Sequence, residues 1–415
     1  MDAMDESDLT GTVPGAAREA DVPKIAGLGE RCCGCGACSA ACPRTCISME
    51  ADPCGFVRPR VDAEACVGCG SCDGACPALA VDDRDGSNDG GDMPVAWWAR
   101  ACDEGLVAAS SSGGVFGLLA RDALGRGGAV YGAALDEGCM SVRHIHISDE
   151  GGLVGLRRSK YVQSAVGRRV YRAIEDDVKA GRPVLFSGTA CQVAGVRNYL
   201  AARGVPGESL ICVDVVCHGA PSPKVWRLRV QGVAKKLGAP LTSVNFRDKR
   251  TGWESYSVTY RATNGREATA PWEKDWFMAA FLQNASLRGS CLSCPFKVDC
   301  PDGCRSDLTL GDYWGIREAH PEVEPAGGVS AVLVRSEAGA HAFERIAGKV
   351  RRGESSAELV AARNPSLLAP ARPHPHREEF LAHAAAAGDV RALMRRWGFG
   401  LTLRDKVARV LWRRE

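Results

Sequence analysis

Beyond about residue 94, apolar residues come in short blocks, each closed by glycine, proline, serine or aspartate. Residues 95–100 read as a strand, 115–124 as an apolar helix and 129–134 as a second strand. Residues 183–186 predict a strand, 187–191 a turn and 192–202 a helix; 210–216 predict another strand, running into Cys217-His218-Gly219. Short apolar strands alternating with helices are βα units of a parallel sheet. Ligands of such sheets bind beyond the carboxyl ends of the strands. Cys191 and Cys217 fall at those ends, on strands expected to be neighbours. Residues 244–247 and 255–260 predict two further strands around D-K-R-T-G-W.

Elsewhere the apolar pattern fades. Residues 1–28 are acidic and rich in glycine and alanine, which predicts a disordered lead. Residues 81–93 have the aspartate, glycine, asparagine and serine of a linker. Residues 391–415 carry eight Arg or Lys against Asp405 and Glu415, with Leu403, Val407, Val410 and Leu411 at helical spacing. That pattern predicts a helix packed on the body with a solvated basic face; the sharper alternative is docking to an acidic partner or an anionic membrane surface.

Composition changes the picture at one point. Hydrophobic residues at 45% and charged residues at 25% are ordinary, but 20 of 415 residues are cysteine. A secreted disulfide scaffold is short and follows a signal peptide; this chain starts with Asp2, Asp5, Glu6 and Asp8 and shows no apolar leader. No run approaches the roughly 18 apolar residues of a membrane span. The expected setting is the reducing cytoplasm, with cysteines as ligands, catalysts or buried hydrophobes. A formal net charge of +2 argues against a broad nucleic-acid-binding face.

Eleven cysteines lie between Cys32 and Cys76. Residues 32–43 and 66–77 both read C-x2-C-x2-C-x3-C-P, 34 residues apart, the pattern of bacterial two-cluster ferredoxins. The intervening glycines let the backbone wrap a cluster at φ values only glycine adopts cheaply. The fourth cysteine of each run reaches the other cluster. One 4Fe-4S cluster is thus expected on Cys32, Cys35, Cys38 and Cys76, a second on Cys66, Cys69, Cys72 and Cys42, with Cys33, Cys46 and Cys54 spare. Zinc knuckles also use C-x2-C pairs, but not two copies of a four-cysteine run ending in proline. Cys291, Cys294, Cys300 and Cys304 form either a local zinc or iron–sulfur site, or a source from which Cys291 and Cys294 join Cys191 and Cys217; spacing alone leaves both open. The A-A-S-S-S-G-G turn through Ser111, Ser112, Gly113 and Gly114 opens a helix and suits an anionic ligand. The dinucleotide fingerprint G-x-G-x-x-G is absent there.

Taken together, S-S-G-G (111–114), K-Y-V-Q-S (160–164), G-T-A-C-Q (188–192), V-C-H-G-A-P-S-P (216–223), F-R-D-K-x-x-G-W (246–253), C-L-S-C-P-F-K (291–297) and D-L-T-L-G-D-Y-W-G (307–315) suggest a family. Following a dicluster ferredoxin region, they resemble the coenzyme F-420 hydrogenase/dehydrogenase beta-subunit family of iron–sulfur flavoproteins, from about residue 30 to about residue 345. The resemblance implies an α/β fold: a small dicluster domain (29–80), then a larger mixed α/β unit with an FAD-binding part (94–180), a part holding a third cluster (181–345) and a basic helical extension (346–415). It implies FAD, and a third 4Fe-4S cluster on Cys191, Cys217, Cys291 and Cys294. Ser111, Ser112, Gly113, Gly114, Lys160, Gln163, Ser164 and Thr189 are the expected cofactor contacts. Lys160 and Tyr161 are expected to line the flavin or acceptor pocket. His218 is a candidate proton donor, or a hydrogen-bond partner of the cluster. Ala190 departs from the family's usual proline, and Cys300 and Cys304 stand in a short insertion.

The function so implied is an oxidoreductase moving electrons between ferredoxin, or a hydrogenase- or dehydrogenase-like partner subunit, and a small organic acceptor. The alternatives are a non-catalytic electron-transfer subunit and a zinc-rich interaction module.

Overall fold

The computed structural model describes residues 22–82, 93–297 and 305–399. The linker from 83 to 92, Cys300 and Cys304, and Leu403, Val407, Val410 and Leu411 of the basic stretch lie outside the described residues, as do residues 1–21 of the lead.

Between the two cysteine runs, β1 (Ile47–Ala51) and β2 (Val57–Val61) form an antiparallel hairpin. The apolar blocks beyond it supply one large sheet. Its first members are β3 (Val95–Ala101), β4 (Ala129–Leu135), β5 (Val142–Ile147), β6 (Ser164–Ala165), β7 (Val184–Thr189) and β8 (Leu210–Val215). A separate antiparallel meander follows, of β9 (Leu241–Asp248), β10 (Ser257–Ala262) and β11 (Glu267–Pro271). The chain then returns to the large sheet with β12 (Leu308–Asp312), β13 (Ser330–Val334) and β14 (Val350–Ser355). The nine strands run in the order β14-β3-β13-β12-β8-β7-β4-β5-β6. The central four, β12, β8, β7 and β4, are parallel; antiparallel pairs extend the sheet outward from both ends of this group.

This α/β layout follows from the residues. Val184, Leu185 and Phe186 of β7 are all buried, as a parallel strand covered on both faces requires. β7 and β8 pair from Val184 opposite Leu210 to Thr189 opposite Val215, so they end level. The chain after each strand therefore leaves the sheet side by side. The helix after β7 runs Ala190–Ala202, two residues earlier than the expected 192, because Thr189 and Gln192 close a reciprocal cap. Beside the sheet, the Pro223–Leu237 helix, β9 and the Trp276–Leu282 helix meet around Trp226. Its ring lies 4.8 Å from Phe277 and 5.0 Å from Phe246, and its indole N–H donates to the Cys139 carbonyl at 2.9 Å.

The expected lead is too long at its carboxyl end. Residues 22–28 are not a free tail: Ile25 and Leu28 are buried against the cysteine-rich domain, and the amides of Lys24 and Ile25 donate to the Asp73 carboxylate. The large apolar side chains there, Val22, Ile25 and Leu28, span too short a stretch to show a period. In the C-terminal region, a Val390–Arg396 helix packs Val390 and Leu393 inward, with Val390 close over Gly232 of the Pro223–Leu237 helix.

Candidate functional site

The level ends of β7 and β8 build the site. Cys191 is the second residue of the Ala190–Ala202 helix and Cys217 lies two residues past β8. Cys291 closes a short 3-10 turn, Gly289–Cys291, and its sulfur accepts from the Ala220 amide at 3.3 Å. Cys217 feels the charges of Cys291, Cys191 and Cys294, so all four thiols lie together. Strand-end convergence is thus what the geometry supports for Cys291 and Cys294. Burial pushes the Cys291 thiol up to about 12 and raises that of Cys217 further.

These thiols form one wall of a cavity of about 760 Å³, inside the ~300–1,000 Å³ usual for small-molecule and cofactor sites. Ser111, Ser112, Gly114, Lys160, Tyr161, Gln163, Ser164, Thr189 and His218 all line it. Gly113 does not. Its Cα is packed against β3 and β13, where an added Cβ would sit 2.4 Å from the Ala99 carbonyl, and its amide donates to Ser330 Oγ. Gly113 is a packing glycine that lets the serine turn seat on the sheet. Gly114 supplies the left-handed N-cap (φ 88°) of the Val115–Gly125 helix.

Most of the polar lining is already fixed by the protein. Ser111 Oγ accepts from the Ser159 amide at 2.8 Å, tying the serine turn to the 157–164 loop. Lys160 Nζ donates to the carbonyls of Gly155 and Arg157, and burial lowers its ammonium to about 7. Tyr161 packs between the rings of Phe246 and Phe281, and its hydroxyl accepts from Arg247. Arg247 is ion-paired to Asp312 at 2.6 Å and lies over the rings of Tyr256 and Trp314; its Nε has no hydrogen-bond partner among the described residues. Ser164 joins His144 and Gln192. Thr189 Oγ1 lies 3.2 Å from Cys191 Sγ.

His218 differs from expectation. Its Nε2–H donates to Asn284 Oδ1 at 2.6 Å, and its Nδ1 faces Ser366 Oγ at 3.4 Å. Asn284 adopts a left-handed φ of 64°, tolerable for asparagine, and its amide nitrogen is held by the Arg372 carbonyl, which turns the oxygen toward the imidazole. Both ring nitrogens thus face groups other than a thiol, and burial lowers the pKa.

In the cysteine-rich domain, Gly34, Gly36, Gly68 and Gly70 all take left-handed φ values between 65° and 82°, the backbone expected between the ligands. Cys38 feels Cys76 and Cys32, and Cys35 feels Cys38 and Cys76, so the first expected set is assembled across the two runs. Cys42 comes near Cys72 and, through Cys46, near Cys66. Buried thiols crowded this way resist ionising; Cys38 is pushed up to about 12. That donor chemistry fits a bound metal cluster, whose cations supply the charge that deprotonates a coordinating thiol. Among the described residues no group of three His, Cys, Asp or Glu side chains is placed to hold a single metal ion.

Two cysteines expected to be spare lie at these sites. Cys46 Sγ is 3.3 Å from Cys42 Sγ and also contacts Cys66. Cys33 lines the cavity and contacts both Cys35 and Cys191. Cys69 is exposed, its thiol held below the ordinary value by Ser71. Cys139 and Cys212 are fully buried, as small hydrophobes.

Thiols gathered at level strand ends beside a large cavity, with a doubled cysteine run packed against them, make up the candidate site of this α/β chain. Residues 181–356 match the family described as the carboxyl-terminal part of the coenzyme F420 hydrogenase/dehydrogenase beta subunit. The match spans the segment that carries Cys191, Cys217, Cys291 and Cys294. Among solved structures, a chain of the xenon-derivatized F420-reducing [NiFe] hydrogenase complex from Methanosarcina barkeri matches at 16% identity with a TM-score of 0.45, covering 66% of this chain and 90% of that one. No curated protein matches. Among the described residues no helix is long and apolar enough to cross a membrane.

Proposed function

We propose that the chain is an iron–sulfur flavoprotein oxidoreductase working between a redox protein, such as a ferredoxin or a hydrogenase- or dehydrogenase-like subunit, and an organic acceptor, a deazaflavin coenzyme or another conjugated small molecule. The observation that carries this is the shared wall: Cys191, Cys217, Cys291 and Cys294 face the same cavity as the serine turn and the 157–164 loop, and Cys33 of the first cysteine run reaches that wall.

Cys32, Cys35, Cys38 and Cys76 would hold one 4Fe-4S cluster, Cys66, Cys69, Cys72 and Cys42 a second, and the strand-end cysteines a third. FAD would lie in the cavity, its phosphates near Ser111, Ser112 and Gly114. Clusters supply one-electron steps, and a flavin joins two of them into a hydride transfer. The protein's own residues do the rest. Gly114 and the following helix present free backbone N–H groups to an anion. Lys160, held by two carbonyls and tuned near neutrality, gives that end a cation that can change charge. Tyr161, Phe281 and Trp314 give the cavity apolar walls. His218 keeps a proton on Nε2 directed at Asn284, so its role beside Cys217 is to hold the Asn284 turn.

The test is anaerobic purification with iron, sulfide, zinc and flavin measured per chain. About twelve irons and one FAD support the reading; about eight irons with zinc, or no flavin, overturn it. Turnover of a small acceptor with an artificial donor and no partner protein separates an enzyme from an electron-transfer subunit.

A further inference from the structure

Arg288 is 1% exposed and among the largest fully buried side chains. Among the described residues its guanidinium touches only neutral groups. Nε donates to the Cys32 carbonyl at 2.6 Å, Nη2 to the Val57 carbonyl at 2.6 Å and Nη1 to Gln163 Oε1 at 3.1 Å, and the group lies 5.5 Å from the Phe56 ring. Among the described residues no carboxylate stands within ion-pair distance of it. Glu30, which comes close at Gly289, is exposed and paired with Arg58.

Arginine does not deprotonate in proteins, so this charge cannot be shed. A buried ion without a counter-charge is strongly disfavoured. The compensation has to come from elsewhere, and the surroundings show where. The Arg288 backbone is stitched into the strand-end cysteine set: its amide donates to the Ala220 carbonyl, and its own carbonyl accepts from the Cys291 amide. Its side chain reaches the opposite way, into the loop of the first cysteine run. An added Cβ on Gly34 would lie 2.8 Å from its Nη1. Cys191 and Cys291 both feel its charge.

We infer that Arg288 is the positioning cation between the first ferredoxin-type cysteine set and the strand-end set, its charge balanced by the thiolates of both when iron is bound. This rests on the reading that both sets hold clusters. Reducing a cluster adds negative charge, and a fixed cation nearby favours the reduced form. Arg288 therefore raises the reduction potentials of the two sets it adjoins and leaves the remaining one, on Cys66, Cys69, Cys72 and Cys42, unchanged.

The test is an EPR-monitored redox titration of the purified chain, wild type against Arg288→Met and Arg288→Lys, with iron measured on every sample. Iron in the wild type decides the underlying reading first. Given full iron, Arg288→Met is expected to shift two of the three midpoint potentials downward, while Arg288→Lys, which keeps the charge, stays near wild type. Unchanged potentials in Arg288→Met overturn the inference. If Arg288→Met fails to hold iron, Arg288→Lys decides alone: potentials close to wild type support the charge, and a downward shift assigns the effect to the lost hydrogen bonds and overturns it.

Discussion

His144 shows how one side chain can hold the cavity floor. Its Nε2–H donates to the Ser187 carbonyl of β7, its Nδ1 accepts from Ser164 Oγ of β6, and its ring stacks on Phe186 at 5.1 Å. Burial lowers its pKa to about 4, against an ordinary 6.5. The folded chain holds this imidazole neutral while the unfolded chain binds a proton between those values. Stability from His144 is therefore present above pH 6.5 and lost as pH falls toward 4, at up to about 1.4 kcal/mol per pH unit. Urea unfolding at pH 7 and pH 5 should show a steeper loss in wild type than in His144→Asn. Equal losses would mean that the imidazole is not held neutral.

Among the elements, the Ala190–Ala202 helix carries the most consequence. It carries Cys191 as its second residue and, one turn on, passes the first cysteine run at Gly195. A methyl added there would lie 3.0 Å from Tyr171 Oη and 3.1 Å from Cys35 Sγ. Neither neighbour is free to give way, since Tyr171 Oη donates to the Cys35 carbonyl. Gly195→Ala is expected to destabilise the fold by about 1–3 kcal/mol, as overpacking does, and to lower iron content; Gly204→Ala, in open space but at φ 65°, serves as a backbone-strain control for the denaturation curves. This helix and its strand were legible in sequence because a short apolar run bounded by turn residues has few other folds. The cysteine runs were legible because the ligand spacing is local. Arg288 was not: its partners Cys32 and Val57 lie 256 and 231 residues away, and a single arginine carries no period. β5 pairs antiparallel with β4 and parallel with β6, a switch in direction that alternation within a strand does not encode. The wall formed by Cys33 was invisible for the same reason, since comparing the repeats shows which cysteine is extra but not what the extra one faces.

At the scale of the molecule, the small domain is docked through its backbone. The carbonyls of Cys32, Cys33 and Cys35 accept from Arg288, Gln163 and Tyr171 respectively, all three from the larger unit. Removing one donor leaves a buried carbonyl unmet, at a cost of about 1–3 kcal/mol. Tyr171→Phe is the mildest such change, and it is expected to lower the denaturation midpoint without altering the cavity lining.

The second cysteine run is covered unevenly, with Cys72 and Cys76 buried but its first half near the surface. Val67 is 61% exposed and Cys69 lies at the surface, while Cys32, Cys35 and Cys38 are all buried. Two near-identical runs therefore stand at unequal depths, and with iron on both they differ in durability. Oxygen arriving from solvent meets the outer set first. Under controlled air exposure, iron per chain should fall to a plateau near two thirds of its starting value before the rest is lost; loss in a single phase would show that depth gives no protection. With iron bound, the set on Cys66, Cys69, Cys72 and Cys42 is then the first to be lost and the one that has to be rebuilt most often.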